Sequence, residues 1–180
     1  GTEKAESTIP PLAPAHITVI RAWMSSLTLS QVLKAAFREP DTEKIQKHLD
    51  FIGFLDEALD LVPAATNKVA FRGEKVRMDW CLPDQCATFV CFTSLSEDAN
   101  QASCFCAKKT GTFLIFKMGR HKPKDIRSFA EFQKEQELLL PRNTSWTVKE
   151  VLSGQEGIDR VVKEVGSEQQ ITGDTRERLQ

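Results

Sequence analysis

Two carboxylates one residue apart, Glu135 and Glu137, lead into the apolar run Leu138-Leu139-Leu140 and stop at Pro141. In an extended strand successive side chains alternate faces, so Glu135 and Glu137 point one way while Gln136, Leu138 and Leu140 point the other. Like charges on one face repel and raise each other's pKa, a cost with no structural return. The pair therefore reads as one wall of a cleft that handles cationic or electron-poor groups. Solvated glutamates on the outer face of an edge strand are the plainer reading of the same motif. Two upstream segments favour the cleft. Val69-Ala70-Phe71-Arg72-Gly73 sets an arginine and a glycine at the end of a short β-rich run, and Phe89 to Ser96 ends in two hydroxyls, Ser94 and Ser96, at the same i, i+2 spacing on one face.

Taken in order, Arg, aromatic-x-Ser-x-Ser and Glu-x-Glu-Leu-Leu-Leu-Pro, the chain resembles the mono-ADP-ribosyltransferases of the arginine-specific type. These are related to ecto-ADP-ribosyltransferases and bacterial ADP-ribosylating toxins, and carry Arg, Ser-Thr-Ser and Glu-x-Glu motifs. The resemblance covers roughly residues 50 to 165. Ile126-Arg127-Ser128-Phe129 looks like the start of the family's acceptor-recognition turn, which runs from about Lys124 to Lys134, and Phe132 stands where that turn often has an aromatic. One departure is Leu95, in the middle of the Ser-x-Ser element, where the side chain faces away from the two serines.

The resemblance implies an α+β fold, a split two-sheet β core with an N-terminal helical lobe, and NAD as co-substrate in the cleft. It implies transfer of ADP-ribose to a side chain of a target protein by a toxin, effector or endogenous regulator. Glu137 matches the catalytic glutamate, and a fixed carboxylate suits the positive charge that develops on ribose as nicotinamide leaves. Glu135 matches the residue that orients and helps deprotonate an incoming guanidinium. It makes arginine the expected acceptor, since asparagine- or glutamine-directed relatives tend to carry glutamine there. Arg72 is expected at the pyrophosphate or adjoining ribose, where a planar fork of donors meets phosphate oxygens, or else in a salt bridge to Glu135 or Glu137. Gly73 lets backbone approach the nicotinamide amide, Ser94 bridges to the catalytic glutamate, and Ser96 supports the sheet-to-helix turn or caps the helix. Phe105 and Lys108 fall where some relatives place a ring over nicotinamide and a cation near phosphate, but are read first as core and as solvated turn charge, and Trp80 and Trp146 as core. No metal is expected. Two other classes stay open: a NAD glycohydrolase or degenerate module of the same fold, and an α+β interaction domain presenting its amphipathic helix to a partner.

The elements that position these residues follow from periodicity. Residues 1–15 form a polar lead with Pro10, Pro11 and Pro14, expected to be flexible. Ile17, Ile20, Met24 and Leu27 recur at helical spacing, and Val32, Leu33, Ala36 and Phe37 continue the stripe after a break near Ser30. Asp41 caps a further helix, whose Ile45, Leu49, Ile52, Leu55, Leu59 and Val62 end at Pro63. A single domain is expected over 16–165, helical over 16–63 and β-rich over 67–165. Strands are predicted near 69–72, 89–92, 113–118, 135–140, 146–152 and 160–165, with a short helix over 97–107. Residues 166–180 lack apolar periodicity and are expected to be a frayed polar tail.

Composition limits the rest. The chain has 180 residues, 41% apolar content and a net charge of −1, which suits one globular monomer and offers no global basicity for nucleic acid. No apolar segment approaches the ~18 residues needed to span a bilayer, and the N-terminus shows no leader pattern. The five cysteines include no C-x-x-C pair, so buried thiols are expected rather than zinc, with a disulfide open to a secreted form. His16, His48 and His121 lie in the lead, on a helix and in a basic turn, away from any nucleophile signature, which speaks against a triad hydrolase.

Overall fold

The computed structural model describes residues 11–39, 41–108, 110–119, 122–130, 136–166 and 169–180. Helix α1 (Pro14–Ser25) begins earlier than the predicted lead allows, because Pro14 in its first turn has a fixed φ that suits a helix and an N–H that is not needed. His16 is therefore a buried residue of that turn, its Nδ1 accepting the Ala13 N–H at 3.2 Å. The break after α1 falls at Ser26, not Ser30. Ser26 caps α2 (Leu27–Arg38) by accepting the Leu29 amide at 3.1 Å, while Ser30 is buried within that helix. Asp41 caps α3 (Thr42–Lys47) as predicted, through the Lys44 amide at 3.0 Å. The long helix expected through Val62 is divided at His48: α3 buries nothing, and α4 (Leu49–Leu61) turns Ile52, Leu55, Ala58 and Leu59 inward.

The β core splits into two antiparallel sheets, as the resemblance implies. Strands β1 (Val69–Glu74), β3 (Thr93–Ser96), β4 (Thr112–Lys117), β5 (Lys124–Asp125) and β6 (Glu137–Leu140) form one sheet in the order β4-β1-β3-β6-β5. Strands β2 (Cys86–Phe89) and β7 (Thr144–Thr147) form the other. The run 89–92, expected as one strand, is the crossing between sheets: Phe89 pairs with Thr144 in β2, while Phe92 is fully buried edge-on to Trp23, 5.4 Å between ring centroids. One face of the large sheet presents Ala70, Leu95, Leu138 and Leu140 to Phe89 and Phe116, with Trp146 stacked on Phe89. On the other face Phe71, Phe113 and Ile115 pack on α5 (Ala99–Ser103) and α6 (Gly154–Val165).

Three further expectations are overturned. The strand predicted at 160–165 is the second half of α6, where Ile158 and Val161 are buried one helical turn apart. The strand predicted at 146–152 ends at Thr147. The polar tail over 166–180 contains α7 (Gly173–Leu179), anchored by buried Ile171 and by Thr175, whose hydroxyl donates to Asn100 Oδ1 at 2.8 Å and lies 3.0 Å from Ser103 Oγ. Its docking is largely polar, so no apolar period announces it. Trp80 is 52% exposed rather than core. Cys81, Cys91 and Cys106 are buried and Cys86 and Cys104 exposed, all as free thiols; burial pushes the Cys91 thiol up to about 11, which keeps it protonated at neutral pH. Among the described residues no helix is long and apolar enough to cross a membrane.

The helical lobe is tied to the sheet edge by hydrogen bonds onto main-chain carbonyls. Ala65 N–H donates to Pro123 O at 2.8 Å, Asp125 N–H to Pro63 O at 3.1 Å, and Lys124 Nζ to Val62 O at 3.0 Å. On the opposite side the turn after α5 lies directly on Gly73, where an added Cβ would stand 2.3 Å from Ala102 O and 2.7 Å from Cys106 N. Both obstacles are backbone, so Gly73→Ala is expected to destabilise the fold by about 2–3 kcal/mol and lower Tm by roughly 5–10 °C. Gly53→Ala, in an exposed stretch of α4 with nothing within 4 Å, is expected to raise stability by about 0.5–1 kcal/mol. Thermal melts of the two variants check both; a Gly73→Ala protein as stable as wild type would refute the close approach.

Candidate active site

Glu137 is the first residue of β6 and lies opposite Ser96, which lies opposite Phe71 on β1. Cross-strand partners share a face. On that face Phe71 belongs to the apolar cluster of α5 and α6, and Leu139, two residues beyond Glu137, to the cluster of the four N-terminal helices. Ser96 and Glu137 thus form a polar pair between two dry walls. The Ser96 hydroxyl accepts the Asp98 amide at 3.0 Å and donates to Gln101 Oε1 at 2.9 Å, so it braces the β3-to-α5 turn, while Asp98 caps α5. Ser94 pairs with Leu139, and its carbonyl accepts from Arg72 Nη1 at 2.7 Å. The register places Ser96, rather than Ser94, across from Glu137. Leu95 faces away into the core against Leu138, as expected.

Strands β1 and β3 pair at the single position Phe71↔Ser96, and the Arg72 guanidinium takes over where the ladder would continue. Its Nε donates to Glu74 Oε1 at 2.6 Å, with both side chains less than one-fifth exposed. Glu74 of the same strand is thus an ion-pair partner of Arg72. The Arg72-x-Glu74 spacing put both on one strand face, a signal present in the sequence but not read there.

Lys34 of α2 was also missed. Its Nζ lies 5.4 Å from the centroid of the Trp23 ring, a cation–π contact. Burial pushes its pKa down, Arg72 pushes the same way, and Cys91, Glu137 and Glu74 oppose them, so the ammonium shares the electrostatic neighbourhood of the motif residues. Lys34 sits four residues after buried Ser30, beside buried Leu33 and three before half-buried Phe37. A lysine on the inward stripe of an amphipathic helix was the signal that could have found it.

Gly73 carries the turn after α5, and Phe105 in that turn is 60% exposed rather than core. Lys108 pairs with Glu177 at 2.9 Å and Asp174 at 4.0 Å, in keeping with a surface charge. Glu135, Phe132 and His121 lie outside the described residues, as does the end of the expected acceptor turn over residues 131–134. Among the described residues no three His, Cys, Asp or Glu side chains converge as a metal site.

The arrangement sets one carboxylate on a shielded sheet face, with the Arg72 guanidinium held in the gap between β1 and β3 and Lys34 on the helical lobe, a chemistry suited to an anionic ligand bearing an electron-poor centre. The sequence matches the family model described as NAD:arginine ADP-ribosyltransferase over residues 4–168. Comparison with curated protein sequences gives no match. By structure the chain is similar to the ADP-ribosyltransferase Vis of Vibrio splendidus in complex with agmatine, at 17% identity and TM-score 0.65, covering 83% of this chain and 72% of that one. It is also similar to the Salmonella SpvB domain, at 16% identity and TM-score 0.62 over 91% of this chain and 94% of that one. A third likeness is to exoenzyme S of Pseudomonas aeruginosa, bound to carba-NAD and human 14-3-3 protein beta, at 12% identity and TM-score 0.59 over 80% and 70%. At such identities the structural likeness is one of fold. The match to the family model across nearly the whole sequence carries the assignment further: this chain belongs to the NAD:arginine ADP-ribosyltransferase family and is an NAD-dependent mono-ADP-ribosyltransferase.

Proposed function

We propose that the chain transfers ADP-ribose to an arginine side chain of a target protein, with Glu137 as the catalytic carboxylate. The observation that carries this reading is the Ser96–Glu137 register pair, set between two apolar walls. NAD supplies a ribose bearing a cationic leaving group and a pyrophosphate. Glu137 stabilises the charge that develops on that ribose, and does so most strongly where water is excluded. Arg72 and Lys34 hold the phosphates, the first through a planar fork kept rigid by Glu74 and the Ser94 carbonyl, the second as a point charge. Ser94 and Ser96 fix the strand on which the pair depends, and Gly73 brings the turn bearing Phe105 against it.

The arginine acceptor is supported by three things. Glu135 stands two residues before Glu137, the family model is that of arginine-directed enzymes, and Vis, a neighbour in fold, was solved with agmatine, which carries a guanidinium. An arginine is always charged, so it needs an anion to hold it and a base to expose its lone pair, the two tasks assigned to Glu135.

Glu137→Gln is expected to lower nicotinamide release from NAD by roughly 100-fold or more without a change in Tm, and Glu135→Gln to lose transfer to agmatine while keeping NAD hydrolysis. Release by wild type that is indifferent to agmatine would point to a glycohydrolase, and a fully active Glu137→Gln protein would refute the site. Lys34→Met, which keeps the packing on Trp23, is expected to weaken NAD binding roughly tenfold, as for loss of one charge-assisted contact. The folded Lys34 pKa lies below 10.5, so its positive charge is complete at low pH and is lost as pH rises through that lowered value. Binding of NAD by wild type should accordingly weaken as pH rises toward the ordinary lysine range, whereas that by Lys34→Met stays flatter. Parallel slopes in a calorimetric titration would remove Lys34 from the phosphate site.

A further inference from the structure

Arg127 has no place in the site described so far, yet its side chain gathers the elements around Glu137. Its Nε and Nη2 grip both oxygens of Asp125 at 2.8 and 2.5 Å, and its own N–H reaches Asp125 Oδ1 at 3.2 Å. Its Nη1 donates to Glu97 Oε2 at 2.5 Å and to Gln136 Oε1 at 3.4 Å. Asp125 belongs to β5 and pairs with Leu138 of β6, while Glu97 directly follows Ser96 at the exit of β3. The Glu97 N–H closes the ring by donating to the Gln136 carbonyl at 3.2 Å. One guanidinium thus spans β6 at its first residues, fastening its two neighbouring strands to each other. By strand alternation Gln136 and Glu97 face away from Glu137 and Ser96, so the strap lies on the other side of the sheet from the carboxylate it surrounds.

The charges make Arg127 hard to replace. It faces two carboxylates, with the Asn67 side chain as a further polar neighbour of Glu97: Arg127 holds Asp125 below the usual carboxylate range, while burial pushes Glu97 up, against the pull of Arg127. Glu97 Oε1 is buried and has no hydrogen-bond partner among the described residues. Removing the cation would leave a half-buried pair of like charges on either side of the β6 entry, and such a pair opens rather than closes.

We propose that Arg127 is a positioning residue, strapping the start of β6 between β5 and the exit of β3 so that Glu137 is fixed for NAD cleavage. This rests on the reading of Glu137 as the catalytic carboxylate. The strap orients the carboxylate without touching NAD, so Arg127→Gln should lower kcat for nicotinamide release roughly 10- to 100-fold while KM for NAD stays within about twofold. Adding Glu97→Gln to Arg127→Gln should restore part of kcat, because the facing charges are gone and two amides can bond each other. A merely structural arginine would show neither the kcat and KM split nor the rescue. Hydrogen exchange reads the strap apart from activity, and in Arg127→Gln the Glu97 amide should exchange at least about tenfold faster while the Leu139 amide keeps its protection. Unchanged kcat, a proportional change in KM, or additive rather than rescuing behaviour overturns the proposal, as does an unaltered Glu97 amide. If Glu137→Gln retains wild-type release, the site reading fails and the positioning role falls with it, and the exchange data then report only whether the strap exists.

Discussion

A carboxylate can stabilise positive charge developing on a ribose only if it is in place beforehand and shielded enough for its field to matter. The proposal that Glu137 is such a carboxylate rests on the row Phe71, Ser96, Glu137 across β1, β3 and β6. Register fixes the position. The shielding comes from what the same face carries on either side, Phe71 in one apolar cluster and Leu139 in another. Neither cluster is formed by the motif residues alone, so the chemistry depends on two separate packing problems being solved at the right spacing.

The walls are attached to that row in different ways. The helical lobe is bonded to the β5 edge through residues 62–65 and 123–125, and α4 adds an ion pair from Asp56 to Arg142 at 2.6 Å just past β6. The other wall is seated by contact, the turn after α5 resting on the bare backbone of Gly73. One attachment is polar and directional, the other steric. The first is anchored at the edge strand β5 and the second at β1, so the two walls are fixed at opposite ends of the row.

Much of the site could be read from residue types and spacing, because strand alternation and motif order need no tertiary information. Arg72, the Ser-x-Ser pair and Glu137 lie on strands as expected, Leu95 faces away from the serines, and the α+β class with two split sheets followed from the resemblance. What was not legible has definite causes. The Arg160 to Val165 stretch is β-branched and apolar enough to suggest a strand, but its i, i+3 burial belongs to a helix that begins at Gly154. Helix α7 docks through Thr175 and Asn100, and polar docking leaves no hydrophobic period. The breaks at Ser26 and His48 are turns inside a continuous apolar stripe, which periodicity alone cannot place. Phe105 was assigned to the core by type, although its position just past α5 leaves it exposed.

Lys34 and the strapping role of Arg127 escaped the sequence reading for a common reason: each acts across elements. A helical lysine becomes informative only when its stripe faces inward, and an arginine in a turn only when two carboxylates from separate strands converge on it. Their placement also separates two tasks. Lys34 lies over Trp23 in the helical wall, whereas Arg127 works on the side of the sheet away from Glu137, where its charge is consumed by Asp125 and Glu97.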